Sequence, residues 1–271
     1  MSLLSVIILG LVQGLTEFLP ISSSGHLVLM EHLLKVKMSG VTFEVFLHFG
    51  TLIAVIVAFQ KELRKMVQGI FRGSLTEPSV RLFFLLLFAT IPAAVVGFFL
   101  KSSIEKTFQS MTFVASALLF TGVILFLTRF VRRDPPLILK RSTGIAEDKC
   151  GVNVVQASII GLAQALAILP GVSRSGMTIS AGLFSGIKGK DAAEFSFLLS
   201  IPAILGATIL ELKEILSSIR TIPIISYTLG VIIAAISGYL AIKLVLNFIK
   251  KGKFEWFAYY CWTIGILGLV L

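Results

Sequence analysis

The residues best suited to chemistry lie between Gln164 and Thr178, in QALAILPGVSRSGMT. Arg174 is the only charge there; the chain is uncharged from Cys150 to Ser173 and again from Ser175 to Ile187. A guanidinium inside so much apolar chain sits at membrane depth, where a charge is costly and serves function. Pro170 and Gly171 break a helix, and Ser173 and Ser175 offer caps for starting the next one. A helix start beside a guanidinium presents backbone N–H groups and a positive dipole end, which together bind anions, phosphate above all. Broken helix at that depth is tolerated only where protein buries it or it lines a wet cavity.

A second stretch has the same build. In QGLTEFLPISSSGHLVL, Glu17 is the lone charge, Pro20 interrupts the apolar run, and Ser22 to Ser24 with Gly25 can cap a helix reaching about Leu34. Its arms are too short to span a bilayer, which takes about 20 residues, so a hairpin that returns to its own side fits better. A shift of 151 residues superposes Gly10 on Gly161, Gln13 on Gln164, Ser22 on Ser173, Ser24 on Ser175 and Gly25 on Gly176, with Pro20 and Pro170 out by one. ATIPA at 89–93 echoes LSIPA at 199–203. If the hairpin tips meet, Glu17, Ser22, Ser23, Ser24 and His26 face Ser173, Arg174, Ser175 and Thr178. Glu17 and Arg174 alone could be a buried ion pair joining the hairpins, but that leaves the serines and the histidine unexplained. Two anion-binding helix ends beside an arginine suit two linked phosphates, and phosphoryl transfer also needs a nucleophile and a proton carrier.

The rest of the chain must hold these tips inside a membrane. Hydrophobic residues make up 56% of the 271 and charged ones 14%, with mean hydropathy +0.97, which excludes an ordinary soluble domain. The net charge of +10 therefore reads as positive charge in cytoplasmic loops, and nucleic acid is not an expected partner. Cys150 and Cys261 are too few and too far apart for a disulfide framework or metal site, and the N-terminus lacks the basic region of a cleavable signal peptide. Stretches at about 41–60, 82–100, 112–128, 195–210, 221–242 and 256–271 can each cross the bilayer. The expected fold is an all-α polytopic membrane protein with six transmembrane helices plus re-entrant helical hairpins at 1–34 and 152–187. Loops 61–81, 129–149, 188–190 and 243–254 hold 17 Lys and Arg, against six in 1–40, 101–111 and 211–220. That asymmetry puts the first set in the cytoplasm, both termini outside, and the hairpins entering from opposite faces. A single membrane domain then divides into inverted repeats, 1–149 and 150–271, an arrangement that brings broken helices together near the midplane.

QGLTEFLPISSSGH and PGVSRSGMT resemble the two signature motifs of the undecaprenyl-diphosphate phosphatase family, the bacitracin-resistance integral membrane phosphatases. The first motif, (E/Q)xxxE, is met by Gln13 and Glu17, and the second, PGxSRSxxT, by Pro170 to Thr178. FEVFLHFGTL at 43–52 and FSFLLSIPA at 195–203 are also similar to family segments. The resemblance implies a bacterial inner-membrane enzyme, open to the outer face, that hydrolyses undecaprenyl diphosphate to the monophosphate and inorganic phosphate. Such an enzyme recycles the lipid carrier for cell-wall polymers and confers bacitracin resistance. A divalent cation, magnesium or calcium, is implied, with Glu17 as metal ligand, and a homodimer is allowed for. By the same resemblance Arg174 clamps the diphosphate with Ser173, Ser175, Thr178 and the Gly171 backbone assisting, and Ser23 is the candidate nucleophile. Glu17 and His26 share proton transfer, and Gln13, Ser22 and Ser24 complete the binding set. Glutamine at position 13 removes one acid and concentrates the carboxylate role on Glu17. The residues alone do not separate attack by a serine from attack by an activated water, and Ser22 and Ser24 can equally act as caps.

Glu44 and His48 lie one turn apart and either line the site or form a structural hydrogen bond. Glu194 reads as a helix start, His32 as solvated, and 129–141 with Pro135 and Pro136 as a loop on anionic headgroups. The competing class is a transporter or flippase of an anionic polyprenyl phosphate lipid, since inverted repeats with broken helices are a transporter trait. Transport needs no nucleophile, so Glu17, Ser23 and His26 favour chemistry.

Overall fold

A computed structural model describes residues 2–34, 41–74, 76–131, 151–211 and 224–270. The expected loop around Pro135 and Pro136, and most of that at 211–220, lie outside the described residues. Eleven α-helices run in chain order among the described residues: α1 Leu3–Phe18, α2 Ser23–Leu34, α3 Val41–Ala58, α4 Gln60–Phe71, α5 Pro78–Phe108, α6 Met111–Leu127, α7 Val154–Leu166, α8 Arg174–Phe184, α9 Gly189–Leu210, α10 Ile224–Lys250 and α11 Trp256–Val270. No strand occurs among them. The chain is an all-helical, multi-pass membrane protein.

Four helical segments are long and apolar enough to cross a bilayer: Pro78–Phe108, Met111–Phe130, Gly189–Leu210 and Ile224–Lys250. A fifth is the pair α3 and α4, taken as one broken span bent by 79°. The bend falls at Phe59, whose backbone leaves the helical region, where apolar α3 gives way to α4 with Lys61, Glu62, Arg64 and Lys65. The expected crossing 256–271 is the 15-residue α11; at ~22 Å it is shorter than the ~30 Å hydrocarbon core. Helix α5 overruns its expected 82–100 at both ends, reaching Lys101 and Lys106, because long cationic side chains snorkel to the surface from a helix end.

Both short hairpins form where the prolines fall. Chain reversal separates α1 from α2 at Leu19–Ser22, and α7 from α8 at Ala167–Ser173. Each descending arm is pressed on a long helix, α1 on α10 and α7 on α5. Small residues allow the approach: a Cβ on Gly161 would stand 2.6 Å from the Ala89 carbonyl oxygen, and one on Gly14 would run into Ala234 and Ser237 of α10. Helices α3 and α9 pack on α10 and α5 respectively, and α6 packs along α11. Phe18, at the foot of α1, meets Phe197 of α9 edge-on at 5.6 Å, so the core wall begins one residue from Glu17.

Candidate active site

The two tips touch. Ser175 Oγ donates to the Leu19 carbonyl at 3.1 Å, and the Gly171 N–H approaches Ser24 Oγ at 3.5 Å. Gly171 holds φ +88°, and a Cβ there would run into the Val114 carbonyl, so the second tip needs glycine both for its backbone and for its seat on α6. Thr121 of α6 clamps that tip, donating to the Gly171 carbonyl and accepting from the Ser173 N–H, both at 3.1 Å. Ser173 caps α8 by accepting from the Gly176 N–H at 3.0 Å. At the first tip Ser22 adopts φ +68° and accepts from the Gly25 N–H at 3.3 Å, opening α2.

The junction brings Glu17 against Arg174. Arg174 Nη2 donates to Glu17 Oε1 at 2.5 Å, and its Nη1 donates to the Ser196 carbonyl at 3.2 Å. Glu17 Oε2 accepts from Ser23 Oγ at 2.7 Å and from Gln13 Nε2 at 3.1 Å. Glu17 is buried, and its two oxygens are bonded to a cation, a hydroxyl and an amide. Such a pair stands or falls together: removing one partner of a buried pair costs about 3–5 kcal/mol, because the other charge is left unpaired. Thr178 accepts from the Ser196 hydroxyl at 2.6 Å and donates to the Arg174 carbonyl at 2.8 Å, which steadies the first turn of α8.

Glu17, Ser23, Gln13 and Arg174 thus meet in one cluster. His26 turns away from it: its ring nitrogens stand 2.8 Å from the Ser22 carbonyl and 2.9 Å from the Tyr260 hydroxyl, with the two rings stacked. The imidazole beside Glu17 is His48, with Nδ1 3.0 Å from Gln13 Nε2 and 3.6 Å from Glu17 Oε2. Glu44 Oε1 lies 3.8 Å from the other ring nitrogen. Glu44 and His48 therefore line the site, the first of the two readings their spacing offered. The hydroxyls of Ser173 and Ser175 serve the cap and the tip junction. Glu194 pairs with Lys190 at 3.4 Å near the start of α9, and His32 is exposed. Thr121, Ser196 and Tyr260 were not legible in advance: each is one of several uncharged polar residues in its helix, and only the folded contacts, to Gly171 and Ser173, to Thr178 and to His26, single it out.

Arg174 and His48 open onto a cavity of about 940 Å³ between α5 and α9. Its long walls are apolar, with Ile91, Val95, Phe98, Ile168 and Ala203 among them, and Lys101, Glu105 and Glu211 stand at its far end. Lys101 Nζ binds Glu211 Oε1 there at 2.7 Å. A charged head with an apolar trough leading away fits an amphiphile whose headgroup is anionic. Among the described residues no group of three or more His, Cys, Asp or Glu side chains is arranged to hold a metal ion, and both Glu17 oxygens already have partners. The described side chains alone do not make a metal cage.

Residues 6–267 match the family model described as bacitracin resistance protein BacA. The chain belongs to the BacA family. Among curated BacA-like relatives, the undecaprenyl-diphosphatase of Methanobrevibacter smithii is 41% identical over 98% of this chain and 96% of its own length. Those of Halothermothrix orenii and Desulforapulum autotrophicum are each 40% identical over 100% of this chain and 98% of their own. The match runs through both hairpins and the helices that carry the cavity.

Proposed function

We propose that this chain is an undecaprenyl-diphosphate phosphatase, releasing inorganic phosphate and leaving the lipid monophosphate. The observation that carries the reading is Ser23 Oγ donating to Glu17 Oε2 at 2.7 Å while Arg174 holds the other carboxylate oxygen beside an apolar cavity. That is the geometry of a nucleophile on its base with a phosphate clamp adjacent. The activity for which the relatives are named supports the substrate class.

A diphosphate entering with its tail in the cavity competes with Glu17 for the Arg174 guanidinium, for which phosphate is a bidentate partner. As Arg174 turns to the phosphate, Glu17 is free to take the Ser23 proton. Ser23 Oγ attacks the terminal phosphorus, the anhydride bond breaks, and the lipid monophosphate leaves with the bond's electron pair. Water then attacks the phosphoserine, inorganic phosphate departs, and Glu17 returns the proton to Oγ. His48, with Nδ1 3.6 Å from Glu17 Oε2 and held there by Gln13, is the group placed to take the surplus proton. His26 fixes the first turn of α2, and hence Ser23, through Ser22 and Tyr260. A magnesium or calcium ion would arrive with the diphosphate, whose oxygens would supply most of its ligands beside Glu17.

The same reading makes the halves an inverted repeat. Exchanging α1 with α7, α2 with α8, α3 with α9, α5 with α10 and α6 with α11 maps the α1–α10 pairing onto α7–α5, and the α3–α10 pairing onto α9–α5, which supports it. With the cytoplasmic side set by the Lys and Arg count, the far end of the cavity opens outward. There the enzyme would recycle the lipid carrier and protect against bacitracin. Phosphate release from farnesyl diphosphate by purified protein in detergent tests the activity, with Glu17→Ala and Arg174→Ala as controls. Both variants retaining wild-type turnover would remove this site assignment, and lipid movement without phosphate release would leave a flippase.

A further inference from the structure

Gln164 is 2% exposed, yet neither its carboxamide oxygen nor its nitrogen has a hydrogen-bond partner. Leaving a buried polar group unpaired is costly, and a carboxamide has two. An apolar residue of the same length would fill the space without that cost. Two other glutamines are better engaged: half-buried Gln156, on the same helix, caps its start and reaches the Ser185 carbonyl, and buried Gln13 leaves its carboxamide oxygen unpaired but spends its nitrogen on Glu17 and His48, so Gln164 alone of the three has both ends unpaired. Nor can Gln164 drift to find a partner, since Gly161 one turn earlier is packed against the Ala89 backbone. It lines the same cavity as Arg174, beside Ala167 and Ile168.

We propose that Gln164 is a substrate-binding residue whose carboxamide N–H groups hold the lipid-side phosphate of the diphosphate. This rests on the phosphatase reading above. The order of groups along the path decides which phosphate. Gln164 and Arg174 line the cavity, whereas Glu17 and Ser23 stand behind the guanidinium and do not. A lipid whose tail fills the trough passes Gln164 with its first phosphate and presents the terminal one to Ser23. The lipid-side phosphate gains negative charge as the anhydride bond breaks, so a donor fixed there binds more strongly in the transition state than in the ground state.

The test compares Gln164→Met and Gln164→Glu with wild type in detergent, reading farnesyl diphosphate turnover, inhibition by each product and thermal unfolding. In Gln164→Met, kcat/KM should fall about tenfold or more, the worth of a hydrogen bond to a charged group. Inhibition by farnesyl monophosphate should weaken by a similar factor, while inhibition by inorganic phosphate stays at the wild-type level. The unfolding temperature should hold or rise, because an unpaired buried amide has been removed. Gln164→Glu, which sets a carboxylate against the phosphate, should lose more activity than Gln164→Met. Unchanged kcat/KM in Gln164→Met would overturn the assignment, as would a loss that tracks a lower unfolding temperature and weakens both products alike. If wild type itself releases no phosphate, the phosphatase reading falls first, an outcome distinct from failure of the variants alone.

Discussion

The two hairpins share a motif pattern in sequence and divide the chemistry between them. At the shift of 151 residues Gln13 matches Gln164, Glu17 matches Ile168, and Ser23 matches Arg174. Ser23 and Arg174 are each the first residue of the ascending helix, α2 in one hairpin and α8 in the other. One helix start therefore carries a hydroxyl and its partner carries a guanidinium. Where the first hairpin has a buried carboxylate, the second has an isoleucine on the cavity wall. Two copies with the same polar groups would set like charges tip to tip at low dielectric, a repulsion that membrane depth magnifies. Divergence at positions 17/168 and 23/174 turns that conflict into an ion pair and separates the reacting end of the site from the holding end.

The sharpest way to break the comparison is to remove the charges singly and together. Glu17→Ala and Arg174→Ala should each lower turnover about a thousandfold, the scale of losing a catalytic base or a transition-state clamp. Each should also destabilise the protein by about 3–5 kcal/mol through the orphaned charge. The double variant should recover most of that stability and none of the activity, as read by thermal unfolding beside phosphate release. Equal stability across all three variants would show that the tips are held by something other than this pair.

The serines sharpen it further. Ser23→Ala removes the hydroxyl on Glu17 and should cost at least a hundredfold in turnover with little change in stability. Ser173→Ala removes the cap on Gly176 and should cost about 1 kcal/mol of stability with a much smaller loss of turnover. A reversal of these profiles would move the nucleophile to the second hairpin.

What could be read from the chain follows the same division. Glu17 and Arg174 stood out because a charge in an apolar run is costly and needs a partner or a role, and Pro20 with Pro170 and Gly171 marked the breaks to within a few residues. Uncharged polar groups carry no such signal. Gln164 reads as one more small interruption until its lack of partners is seen, and His26 draws its orientation from Tyr260, 234 positions away. The helix limits failed for another reason: α5 extends through Lys101 and Lys106, so hydropathy marks where lipid ends rather than where the helix does. The turn after Ala58 was similarly invisible, since nothing in AFQKE forbids a continuous helix.

The smallest expected effect concerns metal, and it too depends on the hairpins being unequal. A cage needs several oxygen ligands converging, with magnesium typically held by one or two carboxylates plus substrate phosphates. Here only the first tip contributes a carboxylate, and both of its oxygens are occupied by Arg174, Ser23 and Gln13. Magnesium or calcium added to substrate-free protein should therefore leave the unfolding temperature unchanged. Added with a non-hydrolysable diphosphate lipid, the same ion should raise it beyond the lipid's own effect, because the ligand that binds the native state then supplies the missing oxygens. Glu17→Gln should abolish that extra rise while leaving the lipid's own shift. A rise with metal alone would mean that Glu17 lets go of Arg174 before any phosphate arrives, and the order of events at the junction would have to be reversed.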